Sequence, residues 1–136
     1  MRSRAMLLAL AVACGGSQQT AVLSVGGTYE TQVSLLPDGN TCGPVQVQNN
    51  QTIVAHSPGS SSLQLTHAAF TYSGTVDRAG NFTISPTQQL GFVISIVGQF
   101  DRTGFNAVVT VDPQQPPCEY KVKWVGTKNG PPNTFP

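Results

Sequence analysis

Charged residues are scarce in this chain, and neither sign dominates. Asp, Glu, Lys and Arg make up 10% of the 136 residues, with seven basic side chains against six acidic ones. No cluster of Lys and Arg could neutralise a nucleic-acid backbone or an anionic lipid surface. The composition therefore argues against nucleic acid as a partner.

Long hydrophobic runs and helical periods are also lacking. The longest apolar or small-residue runs, 5–13 and 90–98, hold nine residues each, whereas a helix needs about 20 residues to cross a bilayer. After residue 13, no stretch repeats its apolar residues with the period of a helix. The sequence predicts neither a transmembrane helix nor a helical domain.

Motifs for catalysis and metal binding are missing as well. The run of serines at 60–62 does not form Gly-x-Ser-x-Gly, and no Cys-x-x-Cys pair is present. His56 and His67 are the only histidines, and no third ligand follows either at a metal-binding spacing. Asp77, Asp101 and Asp112 end strands and match no calcium loop. We therefore expect no catalysis, metal or cofactor, with a secreted enzyme as a remote alternative.

What is present at the start of the chain is the pattern of a secretory signal. Arg2 and Arg4 precede the apolar run 5–13, which ends in small residues. The segment Leu10-Ala11-Val12-Ala13-Cys14 resembles the lipobox of bacterial lipoproteins, with Leu one position earlier than the usual pattern. This resemblance implies cleavage after residue 13 and acylation of Cys14, for example with palmitate, which anchors the chain in a membrane. The alternative is plain secretion, because Ala11-Val12-Ala13 also suits an ordinary signal peptidase.

The residue after the cysteine bears on the destination. Gly15 follows Cys14 where an aspartate would retain a lipoprotein in the inner membrane, so the resemblance implies the outer membrane of the cell envelope. Three cysteines are present, and acylation of Cys14 leaves Cys42 and Cys118 to pair. A disulfide between these two suits an exported protein.

From residue 27 onwards, two-residue alternation predicts an all-β domain. The early strands are predicted at 28–36, 45–48, 51–56 and 63–67, with a tight turn at Asn49-Asn50. In the last strand Cys118, Tyr120 and Trp124 share the inner face. Asp77 to Gly80 and Asp101 to Gly104 read as hairpin turns. About eight or nine antiparallel strands form a meander, which we expect to close as an up-and-down barrel, with a two-sheet β-sandwich as the alternative.

The domain organisation follows from these elements. Residues 1–13 are expected to be the signal peptide, 14–26 the lipidated cysteine and tether, 27–128 the β domain, and 129–136 a flexible tail. Loops at 37–44, 57–62 and 113–117 are the best candidates for recognition, because contacts usually sit on connections held by a rigid scaffold.

The aromatic side chains have two interpretations. They either fill the core or line a cavity for a small hydrophobic ligand, and the candidates for such a cavity are Tyr72, Phe92, Phe105, Tyr120 and Trp124. Gly27-Thr28-Tyr29 resembles the Gly-x-Trp opening of lipocalins, with Tyr in place of Trp. That resemblance implies a carrier of small hydrophobic ligands.

The sequence thus favours one function and keeps a second open. The first is a membrane-anchored envelope lipoprotein whose β-barrel binds an envelope protein or wall component, or has a structural role, without catalysis. The second is a lipocalin-like carrier of small hydrophobic ligands.

Overall fold

The computed structural model describes residues 21–136, which fold into a closed barrel of eight antiparallel strands. The strands are β1 (Gly27–Leu36), β2 (Asn50–Ala55), β3 (Ser62–His67), β4 (Phe70–Val76), β5 (Asn81–Gln89), β6 (Phe92–Phe100), β7 (Gly104–Pro113) and β8 (Tyr120–Asn129). Each strand pairs with the next, and β8 returns to pair with β1. The predicted up-and-down barrel is confirmed, and the two-sheet alternative is wrong because no edge is left open. Within residues 21–136 no helix is long and apolar enough to span a membrane.

Alternation along the strands builds the core. On β7, Phe105, Ala107 and Val109 are buried, whereas Asn106 and Val108 face outwards. A strand with one buried and one solvated face must alternate in this way, because successive side chains point to opposite sides of the sheet. The same period on β8 brings Trp124 inwards and turns Lys121 and Lys123 outwards.

The prediction of a strand at 45–48, with a turn at Asn49-Asn50, is wrong. Residues 37–49 form the connection between β1 and β2, and β2 pairs directly with the first half of β1, Thr31 opposite Asn50. The predicted strand therefore has no partner in the sheet. The side chain of Asn49 lies beside the second half of β1, where its Oδ1 accepts a hydrogen bond from the backbone nitrogen of Val33 at 2.8 Å.

One end of the barrel, which we call the sealed end, is filled by aromatic rings. Four side chains meet there with ring centroids 4.7 to 6.0 Å apart, and each is at most 2% exposed: Tyr29, Phe82, Phe100 and Phe105. Tilted and edge-to-face pairs of this kind are the favoured arrangement of aromatic rings. This half of the interior is a packed core.

Both terminal segments cover the sealed end, so the predictions of a tether reaching residue 26 and of a flexible tail at 129–136 need correction. Leu23 and Val25 are buried, and Ser24 pairs with Thr134. Asn133 is 1% exposed and donates from Nδ2 to the backbone oxygen of Asp101 at 2.8 Å. Leu23 and Val25 alternate with the less buried Val22 and Ser24 and so give the N-terminal segment a buried side, whereas the C-terminal segment is held through the buried amide of Asn133.

The disulfide lies at the opposite end. Cys42 and Cys118 are bonded, with their Cα atoms 5.1 Å apart. Cys118 does not face the barrel interior as the alternation predicted, because β8 begins only at Tyr120 and the half-buried cysteine lies in the loop before it. Backbone contacts support the link, since Thr41 donates to the backbone oxygen of Glu119 at 2.9 Å. The disulfide therefore fastens the connection 37–49 to the start of the last strand.

Candidate functional site

The barrel end away from the termini, which we call the mouth, is open where the other end is sealed. Its inward-facing side chains are only half-buried, although they pack against the core: Val33, Leu35, Phe70, Ile94 and Tyr120. Strand lengths explain this opening. β2, β3 and β4 have six, six and seven residues, whereas β1 and β5 to β8 have nine or ten. One side of the wall is therefore lower, and the taller side presents its inner apolar face.

A histidine and a tryptophan stack at the base of the mouth. The rings of His67 on β3 and Trp124 on β8 lie 4.0 Å apart between centroids, with their planes inclined by 23°. They are 8% and 5% exposed. Tyr72, 4% exposed, is on the inner face of β4 diagonal to His67, because Leu65 opposes Tyr72 and Phe70 opposes His67.

Two buried threonines hold the histidine. Thr52 Oγ1 lies 2.8 Å from His67 Nδ1 and 2.7 Å from Thr31 Oγ1. Thr31 in turn donates to the backbone oxygen of Tyr29 at 3.5 Å. We assign the direction that satisfies all three contacts: Thr31 donates to Tyr29, Thr52 to Thr31, and His67 Nδ1–H to Thr52. His67 Nε2 is then left as an unprotonated acceptor.

Burial sets the protonation states at the mouth. It lowers the pKa of His67 to about 4, so the imidazole is neutral at pH 7. Burial also raises the pKa of Tyr72 and of Tyr120, so both phenols keep their protons. The base of the mouth is therefore polar but uncharged.

The pairing between β4 and β5 is short and becomes irregular towards the mouth. β4 and β5 pair through Thr75 with Thr83 and Val76 with Phe82, and the register of β5 against β6 shifts between Ile84 and Thr87. Pro86 lies within this irregularity and has no backbone N–H to give to a neighbouring strand. Beyond this irregularity a side chain joins β5 to β4: Gln89 Nε2 donates to the backbone oxygen of Thr71 at 3.4 Å.

The predicted cavity residues divide between the two ends of the barrel. Tyr72, Tyr120 and Trp124 lie at the mouth, whereas Phe105 belongs to the sealed end. Phe92 begins β6 at the rim and is 39% exposed. Tyr29, from the lipocalin-like tripeptide, also lies at the sealed end, where its hydroxyl lies 2.6 Å from the backbone oxygen of Val25. Cys14 lies outside the described residues.

Sequence reasoning missed Thr31 and Thr52 as parts of the mouth. Their strand parity marks both as inward-facing, but polar residues on a strand are ordinarily assigned to its solvated face. The available signal was that Thr31 follows Tyr29, and Thr52 precedes Val54, at the spacing of one face.

The turn carboxylates have structural partners. Asp77 Oδ1 accepts from the backbone nitrogens of Ala79 and Asn81, each at 2.9 Å, and Asp101 Oδ1 accepts from that of Gly104 at 2.7 Å. These are the bonds of capped turns. In the part of the chain that the structure describes, no three His, Cys, Asp or Glu side chains gather as metal ligands.

Comparison with known protein families, curated proteins and solved structures found no match to this chain. The fold and the mouth define a closed eight-stranded barrel with one sealed and one open end.

The buried histidine predicts a pH dependence of stability. In the unfolded chain His67 takes up a proton near its ordinary pKa of 6.5, but in the folded barrel only near 4. The unfolded state therefore binds more protons between these values, and stability falls as the pH drops from 6.5 to 4. We expect a loss of up to about 3 kcal/mol from this residue, measured by urea denaturation at several pH values.

His67→Gln supplies the comparison, because glutamine can still donate to Thr52 but does not titrate. As the pH falls from 6.5 to 4, the free energy of unfolding of the wild type should therefore fall by up to about 3 kcal/mol more than that of the variant. Parallel curves for the two proteins would contradict the assignment of His67 as a buried neutral group.

Proposed function

We propose that this chain is a lipid-anchored protein of the bacterial cell envelope, held in the outer membrane through Cys14. Its barrel acts by binding an envelope protein, a wall component or a small ligand, and the proposal includes no catalytic step. The observation that carries it is the combination of a lipobox-like leader with a disulfide-closed barrel that is open at one end.

The disulfide supports an exported location. Cys42 and Cys118 are bonded to each other, and disulfides are typical of proteins that fold in oxidising compartments. With these two cysteines paired, Cys14 is the remaining one of three. Acylation would give it a role and leave no free thiol.

The position of the chain's entry into the barrel suggests an orientation. Ala21 leads into the segment that covers the sealed end, and residues 15–20 can span at most ~20 Å. An anchor at Cys14 would hold the sealed end near the membrane. The mouth, with the neighbouring loops at 37–44 and 113–117, would then face away from the membrane towards partners.

Intact mass spectrometry of the protein from bacterial membranes tests the anchor. We expect the chain to begin at Cys14 and to carry acyl chains. Thiol labelling should modify Cys42 and Cys118 only after reduction. Cys14→Ser is the matched control and should remove both the acylation and the membrane association.

The opposite result is a wild-type protein that carries no acyl chain and is absent from the membrane fraction, with Cys14 as a free thiol or in an intermolecular disulfide. Such a protein would be a secreted one. That result would overturn the anchor.

A further inference from the structure

The mouth combines an apolar wall with a polar base, and this combination points to a ligand. Val33, Leu35, Phe70, Ile94 and Tyr120 are inward-facing yet only half-buried. Inward-facing residues nearer the sealed end, such as Ile96 and Phe82, are at most 1% exposed. The apolar surface at the mouth is therefore accessible from outside the barrel.

Three polar atoms at the base are candidates for contact with a ligand. Among the described residues, nothing hydrogen-bonds to His67 Nε2, Trp124 Nε1 or Tyr72 Oη, although all three side chains are more than nine-tenths buried. Yet no buried side-chain nitrogen or oxygen in this part of the chain lacks a partner. A bound molecule could satisfy these three atoms.

The hydrogen-bonding capacity of these atoms is specific. With Nδ1–H assigned as the donor to Thr52, His67 Nε2 is an acceptor. The indole N–H of Trp124 is a donor only, and the Tyr72 hydroxyl can donate or accept. A hydroxyl group matches the histidine, since it can donate to His67 Nε2 and still accept from a donor such as Trp124 or Tyr72.

Charge is excluded from the ligand by the same surroundings. The wall side chains carry no ionisable group apart from the phenol of Tyr120, whose pKa is raised by burial. The imidazole at the base is also neutral at pH 7. A charged ligand would lose its hydration without gaining a counter-ion.

We propose that the mouth binds a small, uncharged, apolar molecule that carries a hydroxyl group. The hydroxyl hydrogen-bonds to His67 Nε2, and the apolar body lies against Phe70, Leu35 and Ile94. This site rests on the proposed binding role of the barrel but is independent of acylation at Cys14.

A matched pair of probes tests this chemistry: 1-octanol, and 1-methoxyheptane, which has the same number of heavy atoms but no hydroxyl proton. Trp124 is the only tryptophan, so its emission reports directly on the base of the mouth. The protein is the chain from residue 14 with Cys14→Ser, so that no detergent competes for the probes. We expect a saturable shift of emission to shorter wavelength with octanol, and about tenfold weaker binding of the ether, because the ether leaves the His67 acceptor unpaired.

Two variants locate the interaction. His67→Phe keeps a ring against Trp124 but removes the acceptor, and should bring the two probes to within about twofold of each other. Tyr72→Phe should weaken octanol binding less than His67→Phe does, because the Tyr72 hydroxyl is a secondary partner of the ligand. Leu90→Ala, on the exposed β5–β6 turn, is the control and should bind like wild type. Circular dichroism confirms that each variant keeps its sheet.

Several results would overturn the site. These are an emission that does not change on adding octanol, equal affinity for the two probes in the wild type, or a preference for octanol that survives in His67→Phe. A protein that is acylated at Cys14 but ignores both probes would refute the mouth alone. An unacylated protein that binds octanol would refute the anchor alone.

Discussion

Loss of the Cys42–Cys118 disulfide is expected to lower the free energy of unfolding by about 4 kcal/mol. The bond closes a loop with a sequence separation of 76, and in the chain-entropy model such a loop strongly restricts the unfolded ensemble. It also holds the connection 37–49 against the start of β8, so its loss frees a long segment at the mouth. Urea denaturation of the double variant Cys42→Ser, Cys118→Ser measures the effect.

Both proteins in this comparison should carry Cys14→Ser, so that no third thiol can exchange with the pair. The parent protein, unfolded under reducing conditions, should then match the double variant. A difference below about 1 kcal/mol would mean that the unfolded chain is already compact or that the bond strains the fold.

Phe105→Ala is expected to destabilise the barrel by about 3 to 5 kcal/mol, the usual cost of removing a fully buried phenylalanine. Phe105 is 1% exposed, and its ring centroid lies 5.2 Å from that of Tyr29 and 5.8 Å from that of Phe100. The terminal segments cover this end of the barrel, so the cavity can collapse only in part. Denaturation followed by Trp124 emission measures the loss.

Phe92→Ala is the matched control, since both phenylalanines are predicted by the sequence to line the same cavity. Phe92 is 39% exposed at the rim, and its truncation should cost less than about 1 kcal/mol. Equal costs at the two positions would contradict the separation of the sealed end from the mouth.

The barrel itself could be predicted because local sequence patterns mark most of its strands. On β7 and β8, alternation and hairpin turns such as Asp101 to Gly104 specify both the strand and its antiparallel neighbour. The segment 45–48 alternates in the same way, but pairing is non-local. Only the register of β1 against β2 shows that no partner is left for it.

The candidate site was harder to predict. The two-residue alternation along a strand tells which side chains point inwards, but it does not tell at which end of the barrel they lie. Phe105 and Trp124 have the same inward orientation, yet one is in the packed core and the other is at the mouth. The stack of His67 on Trp124 joins β3 to β8, and it exists only once the barrel has closed. The cover over the sealed end, provided by Leu23, Val25 and Asn133, likewise depends on both ends of the chain.

The closure of the barrel by its first and last strands has a consequence for when the chain can fold. Thr28 pairs with Asn129 and Leu36 with Lys121, so the sheet keeps two open edges until nearly the whole polypeptide is present. Contacts so distant in sequence form slowly, because the loop entropy is lost before the pairing is gained. The barrel of a nascent chain can therefore close only after β8 has been synthesised.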